Sequence, residues 1–108
     1  MTELSSKQRK ILERYAHPLP AAVLIGGVGV TEAQTAHVAH CLADHELIKV
    51  KFNEFKDDRH ALAEQLAAAT DALLVRIIGN VAILYRPAEK PDRRRYEKEL
   101  EQAQRNRT

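Results

Sequence analysis

Tryptophan is absent from this chain, and its aromatics amount to three tyrosines and two phenylalanines in 108 residues. A platform of exposed rings for stacking flat ligands is therefore not on offer. A lone cysteine, Cys41, excludes a disulfide within the chain and fits a reducing cytoplasm. No stretch approaches the roughly 18 uninterrupted apolar residues of a membrane span. The opening MTELSSKQRK lacks the apolar core of a secretory signal. Net charge is small, +2 from 17 Lys and Arg against 15 Asp and Glu. What is present is a 44% apolar chain. At this length about 65% of the unfolded surface is buried on folding, enough for one core without metal or disulfide staples. A small soluble intracellular domain is expected.

The small charge is unevenly placed. Residues 1–86 balance ten basic against ten acidic side chains, and the last stretch, seven against five, carries the entire excess. That stretch opens on Pro87 and Pro91, which interrupt regular structure. Its apolar positions reduce to Tyr96, Leu100 and Ala103, spaced for one helical face but too few to pack alone. The boundary falls near Pro87: a domain over 1–87, then a basic tail over 88–108, flexible or partly helical.

Before Pro87, helical and strand periods alternate. Ser5 and Gln8 have capping-box spacing ahead of Ile11, Leu12 and Tyr15 on one helical face, and the prolines of HPLP stop that helix. Ala21–Gly26 is short, apolar and bounded by turn residues, a buried strand. Thr31 and Gln34 repeat the capping spacing before a helix over Glu32–Asp44. LIKVKF alternates, with Ile48, Val50 and Phe52 on one face and Lys49 and Lys51 on the other. Asp57 or Asp58 caps a third helix bearing Leu62, Leu66 and Ala69. ALLVRII and VAILYR flank Gly79-Asn80, a two-residue hairpin loop. The order α-β-α-β-α-β-β predicts an α/β (α+β) domain. Its four-stranded mixed sheet is packed by helices, the helix-separated strands parallel and the hairpin adding an antiparallel partner.

Three of the four glycines, Gly26, Gly27 and Gly29, sit between a strand and a capped helix. Gly26-Gly27-Val28-Gly29 has the spacing G-x-x-G. Glycine lets another backbone approach closely, and the following helix presents unpaired N–H groups and the positive end of its dipole. On its own such a loop is most simply a tight strand-to-helix turn, and it also suits a phosphate. The dinucleotide fingerprint fails because position 32 is Glu, and the Lys-Ser/Thr ending of a nucleoside-triphosphate loop is missing. Basic residues supply a second clue. Lys7, Lys10 and Arg14 form one stripe on the first helix, Lys49 and Lys51 share a strand face, and Arg76 and Arg86 punctuate the last two strands. Scattered cations of this kind neutralise a phosphate backbone, or simply dress a solvated surface.

Metal and enzyme readings are poorly supported. His37 and Cys41 are one helical turn apart, with His40, Asp44 and His45 nearby, yet no distant ligand pair completes a tetrahedral site. Cys41 lies beside Val38 and Leu42 on an apolar stripe, where a thiol is buried and inert. A Cys–His nucleophile would need its parts to converge from separate elements. Asp57-Asp58 reads as a helix start. Of the aromatics, Tyr15, Phe52 and Tyr85 fall on apolar faces and are expected in the core, leaving Phe55 and Tyr96. No catalytic residue, metal ligand, cofactor or small-molecule substrate is expected.

As a set, LSSKQRKILERYAH, IGGVGVTEAQ, HELIKVKF, DDRHALAEQLAAAT and LVRIIGNVAILYRP resemble the YhbY-type proteins, the single-domain form of the CRM (chloroplast RNA splicing and ribosome maturation) domain. The match runs from Leu4 to Pro87 in the family's order. It implies a fold similar to the C-terminal domain of bacterial translation initiation factor three, RNA binding, and no catalysis. Bacterial members resemble assembly factors of large ribosomal subunit precursors, so ribosomal RNA is the implied partner of a cytoplasmic monomer. Carried over by position, Gly26, Gly29 and Thr31 match the loop and its helix start. Lys7, Arg9 and Lys10 match the basic first segment, and Lys49 and Lys51 the second strand. The family loop reads Gly-Lys-Asn-Gly, whereas Gly27 and Val28 fill the middle here. Loop contacts then fall to backbone amides, and a larger share of phosphate binding passes to Lys7, Lys10, Arg14 or the tail's Arg93, Arg94 and Arg95. The rival expectation is a protein-interaction adaptor whose tail folds on a partner through Tyr96 and Leu100.

Overall fold

A computed structural model describes residues 3–27, 29–54 and 56–105, without the side chains of Lys56 and Arg105. Val28 and Phe55, singled out above, lie outside the described residues. Helix α1 (Ser6–Ala16) starts with a complete capping box. Ser5 Oγ accepts from the Gln8 amide at 3.1 Å, and Gln8 Oε1 accepts from the Ser5 amide at 2.9 Å. Strand β1 (Val23–Ile25) is shorter than the apolar run around it. Helix α2 (Glu32–His45) is capped by Thr31, whose Oγ1 accepts from the Gln34 amide at 3.1 Å. The capping box there is only half formed, because the Gln34 side chain donates to the Leu24 carbonyl instead, tying helix to strand.

Strand β2 (Leu47–Phe52) leads through a 3₁₀ turn into α3 (Arg59–Ala69). Asp58 holds the N-cap position of α3, yet its side chain makes no capping bond. Its backbone (φ −99°, ψ 4°) continues the preceding turn. An extended cap residue is what places a carboxylate over the first amides. Strands β3 (Leu73–Ile78) and β4 (Val81–Tyr85) form the expected hairpin, with Gly79 at φ +61°. Helix α4 (Glu97–Arg105) completes the described elements.

The strand order is β1-β2-β4-β3. β1 and β2 run parallel, and β4 is antiparallel to both β2 and β3, so the hairpin inserts its second strand into the middle of the sheet. Ala82 and Leu84 of β4 face the core under α2 and α3 with Ile48, Val50 and Phe52. Ile83 and Tyr85 face the opposite core with Leu12 and Ala16 of α1 and Leu100 of α4. The mixed four-stranded sheet is thus covered on both faces, as a strand buried on two sides requires. The β3–β4 register slips between Leu74 and Arg76. At that irregularity the Arg9 guanidinium donates to the Leu74 and Val75 carbonyls at 3.1 and 2.7 Å.

The described part of the tail is partly helical, and its helix α4 packs on the domain's own core, which its few apolar residues did not suggest. Leu100 is fully buried and Ala103 nearly so. Gln8 Nε2 donates to the Leu100 carbonyl at 3.0 Å, and Glu99 accepts from Arg14 at 2.8 Å and from the Tyr15 hydroxyl at 2.5 Å. Three apolar residues cannot make a core, but they can finish one that Leu4, Leu12 and Tyr85 have begun. Tyr15 sits at this seam with Tyr96, ring centroids 5.2 Å apart. It is 40% exposed, not a core residue. The connection to α4 is fastened by Glu46, a buried carboxylate that accepts from the Ala88 and Arg95 amides at 2.9 and 2.7 Å. Replacing Leu100 with alanine is expected to lower the unfolding free energy by about 2–4 kcal/mol. Urea denaturation checks this, and an unmoved midpoint would mean that α4 does not pack.

Candidate functional site

The parallel strands β1 and β2 end side by side, Ile25 opposite Phe52, and the glycine loop leaves from that edge. The hairpin turn joins them there, since the Phe52 amide donates to the Asn80 carbonyl at 2.8 Å. The carboxyl edge of parallel strands is where α/β sheets present ligand sites. The loop closes on itself through the Gly29 amide and the Gly26 carbonyl, 3.0 Å apart. Gly29 has φ +80°, a conformation in which a side chain is strained. Gly26 and Gly27 differ, because a Cβ at either would meet nothing within 4 Å. The domain's own packing does not require glycine there. What glycine leaves is open room on the outside, where a ligand backbone can come close. Thr31 uses its hydroxyl on the helix cap, and Glu32 places a carboxylate in the first turn that offsets part of the helix dipole.

The basic residues sort into two kinds. Lys7 and Lys10 are exposed on the crest of α1 opposite its buried Leu12 and Ala16, and Lys51 is exposed on β2. None of the three has a partner among the described residues. Other cations are engaged by the fold. Arg9 holds the β3 irregularity, as above. Lys49 Nζ donates to the His17 and Leu19 carbonyls, both at 3.0 Å, pinning the segment after α1. Arg86 donates to the Thr70 and Ala39 carbonyls, and Arg76 faces Glu13 at 3.4 Å. Arg14 pairs with Glu99, and Arg94 with Glu97 at 2.7 Å and the Ala88 carbonyl. Sequence spacing shows that a cation is present, not that a carbonyl has captured it.

Position divides the set again. Arg93 and Arg95 are exposed, but they lie with Glu46 at the start of β2, while the glycine loop is at its end. Six strand residues separate those ends by about 20 Å. Gly26, Gly27, Gly29, Thr31 and Lys51 therefore gather at one edge, with the α1 crest on the same side of the sheet as Lys51. The tail arginines stand apart.

A cleft of about 410 Å³ opens at the tail end, lined among others by Leu19, Cys41, His45, Arg95 and Tyr96. Burial, with a smaller contribution from Asp44, pushes the Cys41 thiol up, the reverse of what a nucleophilic cysteine needs. His37 Nε2 stands 3.9 Å from its sulfur. Burial, then the Glu46 carboxylate, likewise raises Tyr85 far above an ordinary phenol. Among the described residues no group of three or more His, Cys, Asp and Glu is placed to hold a metal ion. No helix among them is long and apolar enough to cross a membrane.

Fold and site together define a helix-covered mixed sheet that presents a glycine-rich strand-to-helix loop near Lys51, which has no partner among the described residues. The chain belongs to the CRS1/YhbY (CRM) domain family, whose model matches residues 4–86. A Haemophilus influenzae protein named as RNA-binding is 38% identical over 91 residues, covering 83% of this chain and 92% of that one. A Pseudomonas aeruginosa protein named as a probable RNA-binding protein is 37% identical, over 83% of this chain and 88% of that one. The solution structure of a Staphylococcus aureus protein, offered as an RNA-binding candidate, superposes with a TM-score of 0.71. It is 34% identical and covers 86% of this chain and 98% of its own. The family match ends one residue before Pro87, so α4 is packed onto the family domain from outside it.

The two kinds of glycine separate by experiment. Gly29→Ala is expected to cost about 1–3 kcal/mol because of its positive φ, and Gly27→Ala to stay within about 0.5 kcal/mol of the parent. Thermal and chemical denaturation of both variants would decide it.

Proposed function

We propose that this protein binds RNA through the glycine-loop edge and the α1 crest, and that its target is ribosomal RNA in precursors of the large subunit. The observation that carries this reading is Gly26-Gly27, glycine where internal packing demands none, next to the partner-free Lys51. Main-chain amides, the helix start and a nearby ammonium all favour a phosphodiester chain. Relatives that share this domain over most of their length bear RNA-binding names. With Gly27 where the family has lysine, the loop supplies amides only, and Lys7, Lys10 and Lys51 carry the charge. In this reading the protein acts in the cytoplasm as an assembly factor, without catalysis or cofactor. The raised thiol of Cys41 argues only against a cysteine nucleophile.

If about four phosphates are neutralised, log affinity for a ribosomal RNA fragment falls with log salt at a slope of about −3. Fluorescence anisotropy over a salt series measures it. Changing Lys7 and Lys10 together to glutamate is expected to weaken binding at least tenfold while leaving the melting temperature unchanged, since both are exposed and unpaired. Crosslinking in cells, followed by sequencing of the attached RNA, tests the target. Reads that avoid large-subunit precursors would remove the ribosomal assignment, and a folded protein that ignores RNA in dilute buffer would remove the function.

A further inference from the structure

Strand register places Leu24 opposite Lys51, Lys51 opposite Val81, and Val81 opposite Ile78. Residues paired directly across neighbouring strands point to the same face, so these four form one row across the whole sheet. Three inter-strand spacings make the row about 14 Å long. It lies on the α1 side, at the edge where the glycine loop and the Gly79-Asn80 turn emerge. Leu24 and Ile78 at its ends are each 54% exposed, Lys51 is exposed, and Val81 is half-buried. The next row inward is already occupied: Lys49 is held by the His17 and Leu19 carbonyls, Ile83 is buried, and Arg76 faces Glu13. The outer row is an open ledge between α1 and the turns.

Leu24 and Ile78 leave more than half of their surface uncovered, and Val81 part of its own. On the opposite face the same strands direct Ile25, Val50, Phe52 and Ala82 into the core. A purely electrostatic ligand has no need of leucine and isoleucine. A purely apolar partner would bury the Lys51 ammonium without a counter-charge, which is costly. An occupant that satisfies the row brings an anion to its centre and flat apolar surface to its flanks, and continues toward the glycine loop. An unpaired stretch of RNA has that composition, with a phosphate every nucleotide and bases that can splay apart.

We propose that the ledge Leu24–Lys51–Val81–Ile78 seats unpaired nucleotides of the bound RNA, with a phosphate on Lys51 and bases or riboses against Leu24 and Ile78. The proposal rests on the RNA-binding reading above and adds to it a preference for single strands. It also supplies, from aliphatic side chains, the contact surface that the scarcity of aromatics denied.

The test uses the full chain with two probes of equal phosphate number, a single-stranded oligouridylate and a blunt RNA duplex, each titrated over a salt series. Leu24→Thr with Ile78→Thr keeps strand-forming residues at exposed positions, so the parent melting temperature is expected. That pair should weaken oligouridylate binding about tenfold with its salt slope unchanged, and leave duplex binding as it was. Lys51→Gln should instead flatten the oligouridylate slope by about 0.7. Methyl resonances of Leu24, Val81 and Ile78 in the unsubstituted protein should shift on adding oligouridylate, a readout independent of any variant. Oligouridylate affinity unaltered by the threonine pair, equal losses on duplex, or unmoved methyl resonances would each overturn the ledge while RNA binding stands. A parent protein that binds neither probe overturns the ledge and the function together.

Discussion

The position of β4 between β2 and β3 constrains everything else in this molecule. This central strand is enclosed on both faces from Ala82 onward: Ala82, Ile83, Leu84 and Tyr85 are all buried. Such a sheet needs a helical layer on each side. α2 and α3 supply one, and α1 supplies most of the other. Because α1 alone leaves part of its face uncovered, the last segment of the chain has somewhere to go, and Leu100 fills it. The same arrangement brings the ends of β1 and β2, the glycine loop and the hairpin turn to a single edge. The site is a by-product of how the central strand is enclosed.

Part of the charge in this protein is engaged within the fold. Arg9, Lys49, Arg86 and Arg94 donate to main-chain carbonyls at a strand irregularity, after a helix, across two helices and in the tail connection. Acceptors at a strand irregularity or past a helix end lack a ladder partner, and a long cationic side chain satisfies them while its stem covers apolar surface. Glu46 does the complementary work for amides, from a backbone at φ +63° that a non-glycine residue adopts only under tertiary constraint. Cations without a partner among the described residues, such as Lys7, Lys10 and Lys51, are the ones with charge to offer a polyanion. Lys51 lies at the glycine-loop end of β2 and the exposed tail arginines near its start, a separation that net charge does not reveal.

The residues of the glycine loop are held by different constraints. Gly29 is fixed by its own backbone, and Thr31 by the helix it caps. Gly27 is fixed by neither, and with no side chain there the loop has shape and amides but no charge. The ledge formed by Leu24, Lys51, Val81 and Ile78 adjoins that loop and carries both an ammonium and apolar surface. The two features suit a flexible polyanion better together than either does alone.

Periodicity and capping chemistry made the elements legible from sequence, since Ser5 with Gln8, Thr31 with its helix, and Gly79-Asn80 act within a few residues of themselves. Alternation along LIKVKF likewise set Lys51 on the outer face and Phe52 in the core. The glycine loop was visible for the same reason, as a local cluster between a strand and a cap. Strand order, the captivity of Arg9 and Lys49, the clasp at Glu46 and the burial of Leu100 were not visible. Each depends on partners dozens of residues away, and the sequence around a residue does not record which carbonyl or apolar face will arrive beside it. The chain alone determined what its segments are; the packed sheet decided which of their charges and apolar side chains stay free to meet another molecule, because burial and long-range hydrogen bonding exist only once the layers close.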